Sequence, residues 1–353
     1  TLWRGIIGED GFENINLSPN DPIGKVFHEI QSLVLALKKN QGVLLGLCSK
    51  NNLIDVDKVL NDHQDMLIRN EDLVIKKVNW SDKATNLREI SNELNIGLDS
   101  IVFIHDSDFE IELIKQKLPQ VTSIKVPSKI YEYPTVIRNT SSLFFDIATS
   151  FEDQNKTEMY KQQIQRKKAE KNSSNIEDYL LSLGLKIKVF VDCKKFVSRM
   201  AQMTQKTNQF NLTTNRYTEA DLSRFVLEEE FKVICISVSD KFGDNGITGL
   251  CILKLNKDQK SAVIDTLLMS CRVIGRNIEY VFLNNIVNIL KKENVLEIEA
   301  VYKETLKNNQ VSDFFDRCGF KLRNKIGTSK NYSNSVKNYE HKDIKYIEVL
   351  SEK

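Results

Sequence analysis

The sequence predicts an α/β protein of two domains, a parallel-sheet domain followed by a mixed α/β domain. The chain has 353 residues, 41% of them hydrophobic and 28% charged, which is enough apolar material for two cores. Its first part alternates short apolar runs with amphipathic helical patterns, whereas its second part contains three apolar runs in succession. Alternating strands and helices are typical of a parallel sheet with helices on both faces.

The first part contains four apolar runs that predict strands. Apolar residues at a helical spacing, Leu87, Ile90 and Leu94, separate the second run from the third. The chemistry of a parallel sheet lies at the carboxyl ends of its strands, and polar clusters follow the first and third runs at 48–52 and 105–110. The predicted strands are 43–47, 73–78, 100–104 and 121–126.

The second part predicts a different order of elements, with hairpin chemistry at 242–246 between two strands. A polar, charged stretch separates the two parts. We therefore expect a parallel-sheet domain at 1–150, a helical connector and linker at 151–175, and a mixed α/β domain at 176–353. The predicted strands of this second domain are 185–191, 232–238, 246–255, 261–269 and 296–301, and its predicted helices are 194–206, 218–230, 276–292 and 311–318.

The charge and the cysteines argue against several classes of function. A net charge of +2 gives no reason to expect nucleic acid or an anionic membrane as a partner, although a small anionic substrate needs only a local basic pocket. None of the six cysteines forms a CxxC pair, which argues against a zinc site or a disulfide framework and favours reduced thiols. We find no signal-peptide pattern and no apolar run that could span a bilayer, so we expect a cytoplasmic protein.

Residues that suit phosphoryl transfer follow the predicted strands of the first domain. Ser49 can donate its hydroxyl to a phosphate oxygen, Lys83 can neutralise the phosphate, and Asp106 can bind Mg²⁺ through oxygen. Lys50 and Asn51 are candidates for binding the rest of the substrate. Alternatively, Ser49 and Asn51 cap the following helix, Lys83 is an ordinary exposed lysine, and Asp106 caps a turn. Their shared position at strand ends favours the functional interpretation.

A loop between a predicted strand and a predicted helix of the second domain suits an anionic ligand. Backbone N–H groups at a helix N-terminus bind phosphates, and Gly275 lets the backbone approach closely, with Arg272 and Arg276 beside it. A cysteine next to an arginine at such a helix end has a depressed pKa and is more reactive. Cys271 is therefore the first candidate for a thiolate nucleophile and Cys48 the second, with a small buried apolar residue as the alternative for both.

Four separated segments of the first domain resemble the motifs of haloacid-dehalogenase-like (HAD) phosphatases. The first segment begins at Thr1, which resembles the threonine of their DxDxT motif and is a catalytic candidate on that basis. The residues of these motifs are similar to those of the FkbH-like family, in which a HAD domain is fused to a GNAT-like, acetyltransferase-type domain. The resembling segments are 1–11, 48–51, 79–83 and 103–106.

The chain departs from the family pattern in two places. The two aspartates of DxDxT, which the family uses as nucleophile and as acid/base, would precede Thr1. We therefore expect the chain to be truncated at its N-terminus and, as written, to lack its nucleophile. The family usually has Asp-Asp in the fourth motif, where this chain has His105-Asp106. Since imidazole is a poor substitute for a carboxylate around Mg²⁺, His105 either weakens or tunes the metal site, or is hydrogen-bonded without a catalytic part.

The second domain resembles the GNAT-like domain of the same family. The pattern Arg272-x-x-Gly275 is similar to the acyl-CoA loop of the GNAT fold, although Asn277 replaces a small residue that is common there. Further segments that resemble the family are 207–213, 243–246, 264–266, 270–272 and 275–276.

The polar segment 207–215 contains the resembling stretch 207–213. On the strength of the resemblance, Asn208, Asn211 and Thr213 are candidate substrate-binding residues. The alternative is a loop tied together by its own side chains.

The FkbH-like resemblance implies loading of a glyceryl unit from 1,3-bisphosphoglycerate onto an acyl carrier protein and removal of its phosphate, in polyketide or other secondary-metabolite biosynthesis. The implied cofactors are Mg²⁺ and the phosphopantetheine of a carrier protein or CoA. Three alternatives stay open: transfer of a different acyl or aminoacyl group, a plain phosphatase whose second domain only binds a carrier protein, and a non-catalytic binding module.

Overall fold

The chain divides into two compact units, Thr1–Lys167 and Lys168–Lys353. The computed structural model describes residues 1–144 and 156–350. The predicted domain boundary at residue 150 and the start of the predicted connector therefore lie outside the described residues. Within the described ranges, no helix is long and apolar enough to cross a membrane.

Unit 1 alternates helices and strands, and local sequence signals set the helix ends. The long second helix begins where the Asp21 carboxylate accepts the N–H groups of Ile23 and Gly24, and it ends at Gly42, which adopts a left-handed conformation. The elements described in this unit are α1 Ile7–Asp10, α2 Pro22–Gln41, β1 Leu45–Ser49, α3 Leu53–Asp62, β2 Leu73–Val78, α4 Lys83–Leu94, β3 Val102–His105, α5 Asp108–Lys117, β4 Thr122–Lys125 and α6 Tyr133–Thr140.

The strands of unit 1 are parallel, as the sequence predicts, and they pair as two separate two-stranded sheets. β1 pairs with β2 so that Ser49 lies opposite Val78, and β3 pairs with β4 so that His105 lies opposite Lys125. Helices α2, α3 and α6 contribute to one buried apolar cluster, and helices α4 and α5 contribute to another. Helices on both faces of parallel strands leave the carboxyl ends of the strands as the accessible edge.

Unit 2 is a mixed sheet covered by helices. Its strands follow the order β11-β12-β10-β9-β8-β7-β5-β13, in which β10 with β9 and β13 with β5 are parallel and the other pairs are antiparallel. The elements from residue 156 onward are α7 Lys156–Lys171, α8 Ile176–Leu183, β5 Leu185–Val191, α9 Val197–Lys206, β6 Phe210–Asn211, α10 Glu219–Phe225, β7 Phe231–Asp240, β8 Gly243–Asn256, β9 Ser261–Met269, α11 Ile278–Lys292, β10 Glu297–Lys303, α12 Phe314–Arg317, β11 Lys321–Ile326, β12 Ser329–Ser335 and β13 Ile347–Leu350.

Strands β9 and β10 separate half-way along their length, and the short strand β6 occupies the opening. The parallel register of the two strands ends at the pair Ile264 and Ala300. Beyond it, β6 pairs with the end of β9. Leu212 then bridges both strands, because its N–H donates to the Leu267 carbonyl at 3.1 Å and its carbonyl accepts the Lys303 N–H at 2.8 Å.

The centre of β8 requires glycine at position 249. A Cβ atom there would lie 2.6 Å from Cγ1 of Ile236 and 3.1 Å from the ring of Phe282. We expect Gly249→Ala to lower the free energy of unfolding by about 1–3 kcal/mol through overpacking, measured as a lower urea midpoint by circular dichroism. Gly8→Ala is the control, since nothing lies within 4 Å of the added methyl group. Equal midpoints for the two variants would contradict the prediction.

Candidate phosphoryl-transfer site and acyl loop

The residues predicted for phosphoryl transfer meet at the carboxyl edge of unit 1. Ser49 is the last residue of β1, Lys83 is the first of α4, and Asp106 directly follows β3. Lys83 is only 4% exposed, and its Nζ donates to the Cys48 carbonyl oxygen at 2.9 Å. The structure therefore brings the end of β1 and the start of α4 together through a buried cation.

The alternative interpretations of these residues do not match their environments. The helix after β1 begins at Asn52 without a side-chain cap, so neither Ser49 nor Asn51 caps it. Helix α5 is capped by the Ser107 hydroxyl rather than by Asp106. Lys83 is buried instead of exposed. The structural alternatives for Ser49, Asn51 and Lys83 are therefore not observed, and the catalytic and binding roles of all four residues stay predictions.

Burial lowers the pKa of the Lys83 ammonium below its ordinary value of 10.5. Cys48 and Glu110 oppose this shift, whereas the Lys50 cation adds to it. An ammonium whose pKa is lowered by desolvation is a group that gains from an incoming anion, because the anion replaces the lost water. The electrostatics of the site therefore suit a phosphate group.

Glu110 joins the site without having been predicted from the sequence. Its Oε1 accepts from Lys50 Nζ at 2.7 Å, while Oε2 is buried and makes no hydrogen bond within the described part of the chain. Glu110 lies in the first turn of α5, one helical turn after Asp106. The sequence signal for Glu110 is its position four residues after Asp106, where a strand ends and a helix begins.

His105 is held as a neutral side chain that supports the end of β3. Its Nδ1 accepts the Ser107 N–H at 2.9 Å, and its ring stacks on Phe103 with centroids 5.5 Å apart. Burial lowers the pKa of His105, the Lys83 cation lowers it further, and Asp106 only partly opposes them. The imidazole therefore favours its neutral form and is hydrogen-bonded in this position, and its effect on a metal site stays a prediction.

Two carboxylates of this edge fit a magnesium ion. The part of the chain that the structure describes holds no group of three or more His, Cys, Asp or Glu side chains that could bind a metal by itself. However, Mg²⁺ usually keeps several waters and binds one or two carboxylates together with substrate phosphate. Asp106 is about half exposed, and Glu110 has an unpaired buried oxygen. These two residues are the donors that fit Mg²⁺.

Ser49 and Thr1 lie at the same edge. Asn51 Nδ2 donates to Ser49 Oγ at 3.0 Å, and the Asn79 N–H donates to the Ser49 carbonyl at 3.1 Å. The backbone nitrogen of Thr1 is 3.5 Å from Asp106 Oδ2. Both hydroxyl residues that the sequence predicts for this site are thus close to the other candidates.

A cleft of about 540 Å³ adjoins Asn51. Trp80 and Ile54 stand on its wall with 71% and 83% of their surface exposed. Such a volume is in the range of small-molecule sites. Its lining consists of Asn51, Asn52, Leu53, Ile54, Asp55, Val78, Asn79 and Trp80.

The two candidate thiols differ in their surroundings. Burial raises the pKa of the Cys48 thiol, and the Lys83 ammonium opposes this effect without cancelling it. Cys48 is therefore protonated near pH 7. Cys271 is partly exposed and begins a short turn that the Ser270 hydroxyl caps. Of the two, Cys271 has the environment that better suits a nucleophile, and its role stays a prediction.

The arginines predicted to bind an anion in unit 2 point into the protein. Arg276 forms an ion pair with Asp240 at 3.3 Å, with side chains 5% and 0% exposed, and also donates to the Arg272 carbonyl at 2.7 Å. Arg272 donates to the Asn245 carbonyl at 3.1 Å. The backbone of Gly275, with φ of 85°, is what this loop exposes to solvent.

The side chains of Asn208, Asn211 and Thr213 make hydrogen bonds within the chain. Asn208 Oδ1 accepts from the Arg216 guanidinium at 2.5 Å. Buried Asn211 donates to the Thr207 carbonyl at 3.1 Å, and buried Thr213 donates to the Asp265 carbonyl at 2.8 Å. These bonds hold the segment to itself and to β9, as the alternative of a loop tied by its own side chains expects. Substrate binding by the three residues stays a prediction.

Comparison with known proteins finds two kinds of similar structure. A scan against protein-family models and a search of curated proteins found no match. The chain is 35% identical to the phosphatase-containing N-terminal part of BF1531 from Bacteroides fragilis, crystallised with Mg, over 42% of this chain and 39% of that protein, with a TM-score of 0.40. This chain thus spans well under half the length of that protein.

Acetyltransferase structures are also similar to this chain. Spermidine N-acetyltransferase from Vibrio cholerae, in complex with CoA and spermine, is 10% identical over 43% of this chain and 97% of its own, with a TM-score of 0.35. The ribosomal-protein-S18-alanine N-acetyltransferase from Escherichia coli is 9% identical over 42% of this chain and 94% of its own, with a TM-score of 0.33. The strand topology described above confirms the predicted α/β fold class, a parallel α/β unit followed by a mixed α/β unit.

The buried ion pair of Arg276 leads to a stability prediction. Removing one partner of a buried pair leaves an uncompensated charge, so we expect Arg276→Ala to lower the free energy of unfolding by about 3–5 kcal/mol. Arg323→Ala breaks an exposed pair with Glu297 and should cost about 1 kcal/mol or less. Urea midpoints of the two variants test the difference. If Arg276→Ala is as stable as the control, Arg276 is not a structural residue.

The depressed pKa of Lys83 leads to a prediction on pH. Below its ordinary value of 10.5, the unfolded state binds more protons at this residue than the folded state, so stability rises with pH in that window. We expect the free energy of unfolding of the native chain, relative to Lys83→Met, to increase as the pH rises towards 10.5. For Lys115→Met, at an exposed lysine, the difference in free energy of unfolding from the native chain should stay constant over the same pH range. A relative free energy that falls over this range would disprove the depressed pKa.

Proposed function

We propose that unit 1 is a Mg²⁺-dependent phosphatase, and that the two units together load a glyceryl unit from 1,3-bisphosphoglycerate onto an acyl carrier protein in the cytoplasm. The observation that carries the phosphatase part is the buried Lys83 ammonium, which lies at one strand edge with Ser49 and Asp106. A desolvated cation, a hydroxyl donor and carboxylates are groups that bind the phosphate and the metal of a phosphate monoester substrate, and the nucleophile is not among them. The glyceryl part rests on the resemblance to the FkbH-like family.

Each candidate site residue of unit 1 described here has a role in the proposed phosphatase. Lys83 neutralises the phosphate, and Ser49 donates its hydroxyl to a phosphate oxygen, held in place by Asn51. Asp106 and Glu110 hold Mg²⁺, which supplies positive charge to the phosphate oxygens when it is bound. The Lys50 ammonium is held by its hydrogen bond to Glu110 and attracts the entering anion.

The proposed sequence has two balanced steps. A thiol attacks the acyl-phosphate carbon, the C–S bond forms, the C–O bond to phosphate breaks, and the thiol proton leaves with the phosphate. Water then cleaves the remaining phosphate monoester, which yields the glyceryl thioester and inorganic phosphate. Cys271 is the proposed protein thiol if the acyl group passes through the enzyme before it reaches the carrier phosphopantetheine.

Two observations favour a second candidate, in which unit 1 is a phosphatase and unit 2 only binds the carrier protein. The opening between β9 and β10 is filled by β6, and the Arg276 guanidinium is committed to Asp240. Both features leave unit 2 with fewer groups for an acyl donor than an acyltransferase needs.

Mass spectrometry of a holo-carrier protein tests the proposal. We expect the protein in its natural length, supplied with 1,3-bisphosphoglycerate and Mg²⁺, to add the mass of a glyceryl group to the carrier. Lys83→Met should slow phosphate removal by about 10²–10³-fold, so that the phosphoglyceryl mass accumulates instead.

Lys115→Met, at an exposed lysine of α5, is the matched control and should behave as the native protein. Glyceryl loading that is unaffected by Lys83→Met would refute the role of this edge. If the carrier gains no mass while a phosphate monoester is still hydrolysed, the second candidate is correct.

A further inference from the structure

The imidazole of His105 has one nitrogen bound to the backbone and one that is accessible to a ligand. Nδ1 accepts the Ser107 N–H at 2.9 Å, and the ring stacks on Phe103. Nε2 makes no hydrogen bond within the described part of the chain, yet it is not an enclosed atom, and the side chain is 19% exposed. The ring is therefore fixed in place at one nitrogen, while the other is available.

The contact with Ser107 decides which ring nitrogen carries the proton. A backbone N–H cannot rotate away from the atom that it faces, so Nδ1 must offer its lone pair, and the neutral ring then has its proton on Nε2. Asp106 Oδ1 lies 3.2 Å from Nδ1 and accepts a hydrogen bond from it only when both nitrogens are protonated. Nε2 is therefore an N–H donor in either charge state of the ring.

This arrangement excludes His105 from the metal site and suits it to an anion. A nitrogen binds a metal ion through its lone pair, which a protonated Nε2 does not have. His105 therefore adds no ligand to the carboxylates of Asp106 and Glu110. An N–H group attracts a phosphate oxygen, whereas a carboxylate at the same position would repel it.

The ring lies among the charged groups of the phosphate edge. After burial, the Lys83 ammonium has the largest effect on the pKa of His105, Asp106 follows, and Glu110 also contributes. Because such effects decline with distance, all three side chains are near the ring. Lys83 is the cation proposed to neutralise the phosphate, so a phosphate at that position has the imidazole beside it.

We propose that Nε2–H of His105 donates a hydrogen bond to an oxygen of the bound phosphate, so that His105 is a phosphate-binding residue and not a metal ligand. The proposal rests on the proposed phosphatase function and adds a residue to its site. It also assigns separate tasks to two neighbours in sequence, since Asp106 holds the metal and His105 holds the phosphate.

Two amide substitutions test the role of Nε2. His105→Asn keeps an acceptor for the Ser107 N–H and has no group at the Nε2 position, whereas His105→Gln places an amide there. We expect His105→Asn to weaken the binding of inorganic phosphate about tenfold, and His105→Gln to weaken it less, because a hydrogen bond to a charged group is lost only in the first. Isothermal titration calorimetry with Mg²⁺ present measures both. His341→Asn, at an exposed histidine of unit 2, is the matched control and should bind as the native protein does.

Binding of Mn²⁺, followed by electron paramagnetic resonance without phosphate, tests the metal part. We expect native protein and His105→Asn to bind Mn²⁺ equally, because no ligand is removed. His105→Asp should bind Mn²⁺ more tightly and phosphate more weakly, since it exchanges a donor for a negative charge. Weaker Mn²⁺ binding by His105→Asn, or phosphate binding that this variant leaves unchanged, would overturn the proposal.

Lys83→Met separates failure of this inference from failure of the phosphatase proposal. If Lys83→Met weakens phosphate binding and His105→Asn does not, the phosphate edge stands and the role of His105 is wrong. If the native protein binds no phosphate, or Lys83→Met binds it as tightly, the phosphatase proposal fails together with this inference. Urea midpoints of the variants show whether a loss of binding is a loss of folding.

Discussion

The hydrogen bond from Lys83 Nζ to the Cys48 carbonyl is the interaction on which the candidate site depends. It fixes a buried cation at the end of β1 and thereby sets the start of α4 against that strand. The same ammonium affects its surroundings electrostatically, since it lowers the pKa of His105 and opposes the burial that raises the pKa of Cys48. One desolvated charge thus shifts the pKa values of its neighbours, beside the larger effect of burial, and holds the geometry of the edge.

Unit 2 uses similar residue types for a different purpose. Its arginines and asparagines point inward, where Arg276 pairs with Asp240, and Asn211 holds the segment that enters the opening between β9 and β10. A buried charge costs free energy unless it is paired, so these side chains stabilise the loop that carries Gly275. Basic and amide side chains therefore indicate a binding site in unit 1, whereas many of those in unit 2 stabilise the structure.

Most of the fold and part of the site follow from the sequence. Apolar periodicity located the nine predicted strands to within three residues, because a buried strand demands a continuous apolar run. Ser49, Lys83 and Asp106 were found because they follow such runs. Glu110 was not, since its importance depends on an unpaired oxygen buried beside Lys50. The inward direction of Arg276 was likewise hidden, because Asp240 lies 36 residues away in sequence.

By itself, the sequence determined the α/β class, the parallel strands of the first unit and the edge at which its polar residues would meet. These properties depend on local patterns of apolar and polar residues. Only the tertiary structure decided that Lys83 is desolvated, that β6 fills the opening of the second sheet, and that Trp80 stands exposed over a cleft. Burial and pairing between distant residues decide these features, and such contacts exist only once the chain has folded.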